Sequence, residues 1–139
     1  MTAPPPAIRV LIADDHQIVR QGLRTFLELH NDIVVVGEAS DGQAAVDLAV
    51  RLAPDVVLLD LVMPELNGFE VLDALRSLGI LSHTPVILIS GMDTEVNAVH
   101  GIELGAEDFL PRPVDLKLLR ARVNASLERL RLRERELAQ

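Results

Sequence analysis

Apolar side chains in this chain gather in five short runs. After each run they return only every three or four positions. IRVLIA (Ile8–Ala13), IVVVGEA (Ile33–Ala39), DVVLLDLV (55–62), PVILIS (85–90) and EDFL (107–110) read as strands. Several are apolar at successive positions, as strands covered on both faces must be. The first intervening stretch, IVRQGLRTFLEL, places Ile18, Leu23, Phe26 and Leu27 mostly on one helical face. Further helices are expected to open at Asp41, near Asn67, near Thr94 and near Val114. Five β–α units in succession predict an α/β fold: a doubly wound parallel sheet with right-handed crossovers and helices on both faces.

Sheets of this kind bind ligands outside the carboxyl ends of their strands. The residues at those ends therefore carry the candidate chemistry. The first strand ends in Asp14-Asp15, the third in Asp60 and the fourth in Ser90-Gly91. The fifth leads to Arg112, held between Pro111 and Pro113. A terminal aspartate often only caps the next helix, and Asp15 alone admits that reading. Asp60 differs, because it follows VVLL and enters the rim of an apolar core, where a carboxylate needs a partner. Asp55, at the other end of the same strand, reads as a cap or loop residue. Clustered carboxylates raise each other's pKa unless a cation joins them. Magnesium takes oxygen ligands, commonly one or two carboxylates with waters and phosphate oxygens. The constellation thus predicts a hard-metal site. One carboxylate there could attack phosphorus, with a cation and a hydroxyl stabilising the transferring group.

Composition narrows the class. The formal net charge of −8 argues against non-specific nucleic-acid binding by this chain. With no cysteine, disulfides and thiolate metal sites are excluded. No apolar run reaches the roughly 18 residues of a membrane span. The first residues lack the pattern of a secretory signal, so a cytoplasmic location is expected. Residues 1–7, with Pro4-Pro5-Pro6, read as an extended, flexible leader. His16 reads as a surface or capping residue. His30, His83 and His100 show no ligand spacing.

The ordered motifs LIADDH, DVVLLDLVMPELNGFEVL, PVILISG and GAEDFLPRP, one per strand end, resemble the receiver domain of two-component response regulators from Ile8 to about Leu127. The resemblance implies a flavodoxin-like (βα)5 sheet in strand order 2-1-3-4-5. It makes Asp60 the phosphoacceptor. Asp14 and Asp15 become the acidic pair that holds Mg2+, with Asp60 and the backbone carbonyl of Val62 as further metal ligands. Ser90 becomes the switch hydroxyl, with Gly91 leaving room beside it, and Phe109 the switch aromatic. Met63-Pro64 and Gly68 would shape the loop after Asp60. The implied partner is a sensor histidine kinase or a phosphotransfer protein. The implied output is a homodimer, through the face made by helix 4, strand 5 and helix 5 or through the C-terminal helix. No direct nucleic-acid contact and no membrane contact are expected. The implied chemistry is phosphoacceptance with slow autodephosphorylation, not metabolic catalysis.

One position departs from the family. Arg112 stands where a lysine is usual, followed by the expected proline at Pro113. Arginine keeps the charge and can grip phosphate with two donors, but it is planar and bulkier. Contact with phosphate and pairing with a carboxylate such as Asp14 are both open to it. Arg112 is the sequence feature favouring a rival reading, a non-phosphorylated receiver used as a dimerisation or docking module. An aspartate-nucleophile phosphohydrolase would want a second acid two residues after Asp60, where Val62 stands.

The last helix, from Val114 to Ala138, would run roughly 37 Å, longer than one sheet needs. Leu116, Val123, Leu130 and Leu137 recur every seven residues, with Leu127 four after Val123. Residues 128–139 are expected to form a helical extension, either a frayed solvated end or a coiled-coil linker to an output module. The early segment resembles receivers of helix-turn-helix transcription factors. The late segment resembles those joined by a long helix to cyclases, phosphatases or kinases, and the weight of the sequence leans that way.

Overall fold

The computed structural model describes residues 6–91 and 94–138. The Pro4-Pro5 pair of the expected leader lies outside the described residues. Five strands, β1 (Ile8–Ala13), β2 (Ile33–Ala39), β3 (Val56–Asp60), β4 (Val86–Ser90) and β5 (Asp108–Pro111), alternate with five helices. These are α1 (Gln17–Glu28), α2 (Gly42–Leu52), α3 (Gly68–Ser77), α4 (Thr94–Glu103) and α5 (Leu116–Ala138). The strands form one parallel sheet in the order β2-β1-β3-β4-β5. This is the flavodoxin-like doubly wound sheet expected from the sequence.

The unbroken apolar runs are explained by two cores, one on each face. Alternate strand residues Leu11, Leu59 and Leu88 pack with Val71, Leu72 and Leu75 of α3 and Ala45 and Ala49 of α2. Their neighbours Ile12, Leu58 and Ile87 pack on the other face with Leu23 and Leu27 of α1 and Leu119, Val123 and Leu127 of α5. Period-two alternation sends successive side chains to opposite faces, so a strand buried twice has no polar position to offer. On α1 the expected apolar face holds for Leu23 and Leu27, but Ile18 is almost wholly exposed. It sits in the first turn of the helix, beyond the edge of the covered surface.

Asp55 lies in the loop before β3, its carboxylate accepting the N–H of Arg9 at 2.8 Å. The last helix starts at Leu116 rather than at Val114. The Asp115 side chain accepts the N–H groups of Lys117 and Leu118, at 3.0 and 3.1 Å, so it caps the helix there. Part of the seven-residue repeat on α5 is used within the domain. Val123, Leu127 and Leu130 are all buried in this single chain. Arg129 and Arg133 pair with Glu107 just before β5, at 3.6 and 2.6 Å. The helix is thus fastened to its own domain as far as Arg133, while the side chain of Leu137, the last of the repeat, lies outside the described residues. Leu116, Leu118 and Leu132 remain partly open to solvent.

Candidate functional site

The register of the sheet brings the predicted residues together. Ala13 pairs with Leu59, Asp60 with Ile89, and Ser90 with Pro111. Asp14, Asp60, Ser90 and Arg112 therefore stand at adjacent strand ends on one rim. Asp14, Asp60 and Ser90 are 2%, 6% and 1% exposed. Asp15 and Arg112 are half-buried. The Arg112–Pro113 peptide is cis.

Arg112 closes the site from the β5 side. Its backbone N–H donates to the Ser90 carbonyl at 2.9 Å, continuing the sheet past the last ladder pair. Its guanidinium hydrogen-bonds Asp14 Oδ2 and lies 3.4 Å from Asp60 Oδ1. Of the two roles open to Arg112, pairing with Asp14 is the one realised here.

The charges are unevenly matched. Burial, and then the negative charge of Asp14, push the Asp60 carboxyl above the usual carboxylate range, against the pull of Arg112. For Arg112, burial works against the charged form. The hydrogen bond with Asp14 and the charge of Asp60 outweigh it and raise the guanidinium pKa further. Asp15 Oδ1 is buried with no hydrogen-bond partner. It lies 3.0 Å from His16 Nδ1, but that approach lacks hydrogen-bond geometry. Ligand atoms of Asp14, Asp15, His16 and Asp60 all fall within 4.8 Å of one another. Three carboxylates with one guanidinium, and a buried carboxylate oxygen left without a donor, fit a hard divalent cation.

Several supports escaped the sequence reading. His16 occupies the N-cap position of α1, as a capping residue would, but its side chain caps nothing. Its backbone N–H instead donates to Asp14 Oδ1 at 2.8 Å, and its ring lies beside both carboxylates. Arg20, on the next turn, donates through Nη1 to the Asp14 carbonyl at 2.7 Å and through Nε to Glu38 at 3.2 Å. Glu38 is gripped in turn by Arg24 at 2.7 Å, and Arg24 by Glu28 at 3.1 Å. This chain of ions ties the turn after β1 to β2. Gly42 packs closely on Leu66: a Cβ on Gly42 would stand 1.9 Å from the carbonyl oxygen of Leu66. Gly42 N–H meanwhile donates to the Pro64 carbonyl at 3.1 Å. The loop after Asp60 is seated on α2 through that glycine. The signal for Arg20 was its place one turn into α1, but its partner Glu38 is far away in sequence.

The other expected residues are placed but less engaged. Phe109 is half-buried against the core beside α3, in register with Leu88. Val62 is exposed, and its N–H approaches Asp60 Oδ1 at 3.4 Å. Met63 is buried. Gly68 begins α3 beside Asp60, after the Asn67–Glu70 capping box. A Cβ on Gly91 would only touch the Arg112 stem, at 3.4 Å.

A five-stranded sheet in this order with an acidic rim at its carboxyl edge defines a class of signalling domain. The family model described as response regulator receiver domain matches residues 10–124. The chain belongs to that family. It is 36% identical to the transcriptional regulatory protein YdfI of Bacillus subtilis (strain 168), over 86% of this chain and 54% of the relative. The chain spans about half the length of the curated relatives it matches. The receiver domain of the Francisella response regulator 1452 is 35% identical, covers 87% of this chain and 97% of its own, and superposes with a TM-score of 0.80. The CheX–CheY–BeF3–Mg2+ complex of Borrelia burgdorferi is 25% identical, with 86% and 89% covered and a TM-score of 0.80. Domains of this family serve signal transduction rather than metabolic catalysis. No helix among the described residues is long and apolar enough to cross a membrane.

Proposed function

We propose that this domain is a phosphorylation-dependent switch with Asp60 as its phosphoacceptor. The observation that carries the reading is the meeting of Asp14, Asp60 and Arg112 at one rim, with Asp15 Oδ1 unsatisfied beside them. A sensor histidine kinase or phosphotransfer protein presents a phosphohistidine. An Asp60 carboxylate oxygen attacks phosphorus, the P–N bond breaks, and the imidazole nitrogen keeps the electron pair. Asp14, Asp15, Asp60 and the Val62 carbonyl would hold Mg2+, which would neutralise charge on the phosphoryl oxygens. A solved relative whose description names beryllofluoride and magnesium together supports this. Arg112 supplies a second positive charge, and Ser90 the hydroxyl. Attack of water on phosphorus later releases inorganic phosphate and restores the carboxylate.

The output follows from the same rim. Arg112 is tied to the Ser90 carbonyl, so a shift of Ser90 towards a phosphoryl group is passed to β5, where Phe109 turns inward. The face made by α4, β5 and α5 then changes its affinity for a second copy or a partner. Its helix α4 carries exposed Val96, Val99 and Ile102. Residues 8–127 form the receiver, and the rest of α5, to Ala138, leads towards an output module. The location is cytoplasmic, where kinases of this type act.

Acetyl phosphate with magnesium should add one alkali-labile phosphoryl group, read by intact-mass spectrometry. Asp60→Asn should take none, and labelling that survives in that variant removes Asp60 from the role. The rival, a docking module without phosphorylation, is favoured by the Arg112–Asp14 pair, which already fills part of the site. Titration with magnesium and beryllofluoride, followed by oligomeric state, separates the two. A domain that responds to neither is the docking module.

A further inference from the structure

We propose that Arg112 is a resident counter-cation which a divalent metal must displace from Asp14, so that this ion pair sets the metal affinity of the resting domain. The inference rests on the reading of the acidic rim as a magnesium site.

Both oxygens of Asp14 are engaged. Oδ2 accepts from Arg112, and Oδ1 accepts the His16 N–H at 2.8 Å. Asp60 Oδ1 is shared between Arg112 and the Val62 N–H, each at 3.4 Å. Asp15 Oδ1 accepts from nothing. An arriving cation therefore finds an oxygen of Asp15 without a donor, beside the His16 ring, and both oxygens of Asp14 engaged. Among the described residues, Arg112 is the one arginine within ion-pair reach of both Asp14 and Asp60.

The residue type matters. Arg112 reaches both carboxylates through one nitrogen, Nη2, so its planar fork keeps further N–H donors for an incoming anion, whereas an ammonium is a compact point charge. The stem is also confined. Its backbone is bonded to Ser90, and its Cβ runs within 3.4 Å of the place a Gly91 Cβ would take. Arg112 leaving Asp14 thus stays at the rim, free to meet an incoming phosphoryl group. Metal entry and the release of this cation become one event.

The test is calorimetric titration of magnesium into the wild-type domain, Arg112→Lys, Arg112→Gln and Asp15→Asn. Removing a unit charge a few ångströms from the metal should tighten binding in Arg112→Gln by about tenfold, with Arg112→Lys between. With beryllofluoride present the order should reverse, because the wild-type guanidinium then has an anion to grip. Equal or weaker magnesium binding by both Arg112 variants, with binding lost in Asp15→Asn, overturns the inference and leaves the metal site standing. Absence of binding in every protein overturns both. Should Arg112→Gln not fold, the Arg112 side-chain Nε–H resonance of the wild-type domain decides. It must move on magnesium addition, and a resonance that stays fixed while Asp15 signals shift overturns the inference.

Discussion

The Cβ that Gly68 lacks would stand 2.8 Å from the carbonyl oxygen of Asp60 and 2.8 Å from the Cα of Leu61. The Gly68 N–H donates to the Leu61 carbonyl at 2.8 Å. The start of α3 is thus pressed against the backbone that carries the candidate phosphoacceptor. Both obstacles are backbone and cannot rotate away. Gly68→Ala should cost about 1–3 kcal/mol through overpacking, measured by urea denaturation, and should slow phosphorylation by acetyl phosphate. Gly22→Ala is the control. No atom lies within 4 Å of a Cβ there, and alanine in a helix interior should stabilise by about 0.5–1 kcal/mol.

The raised pKa of Asp60 fixes the sign of a pH effect. A carboxyl whose folded pKa exceeds its unfolded value binds more protons when folded. Stability then falls as pH rises from the ordinary carboxylate range through the folded pKa. Above that window Asp60 burdens the fold. Asp60→Asn should therefore melt higher than the wild-type domain at neutral pH without metal. Its advantage should shrink as pH falls back through the window. Thermal melts across a pH series check this, and an advantage independent of pH would refute it.

Arg20 joins the Asp14 carbonyl to Glu38. Arg20→Met should cost about 1–3 kcal/mol, because both acceptors lose a charged donor in a half-buried place. A double-mutant cycle with Glu38→Gln should show a coupling of roughly 0.5–3 kcal/mol. Simple additivity would mean that the two side chains act independently.

Magnesium should raise the melting temperature of the wild-type domain, and chelation should reverse the rise. A ligand that binds only the folded state stabilises by about 2.7 kcal/mol at a hundred times its Kd. Asp15→Asn should show no such gain, since it replaces the carboxylate that holds the unpartnered oxygen.

The amino-acid sequence alone determined the five strands and five α-helices, though not the 3-10 turn at Ile80–Ser82, because runs buried on both faces leave no polar position and amphipathic stretches do. It also determined which residues stand at the strand ends, since a parallel sheet puts all carboxyl ends on one edge. Asp14, Asp15, Asp60, Ser90 and Arg112 were legible for that reason. Only the tertiary structure decided which of them touch. Arg112 meets Asp14 across 98 positions of sequence, a pairing that depends on strand order and on the stem's path beside Gly91. Arg20 and Glu38 were invisible for the same reason, each an ordinary surface charge until β2 is laid beside β1. The leucines of α5 show the converse. Their spacing was plain, but whether Leu130 faces a second helix or its own domain is settled only by where α5 lies. Periodicity records that a face is covered, and three-dimensional packing determines by what.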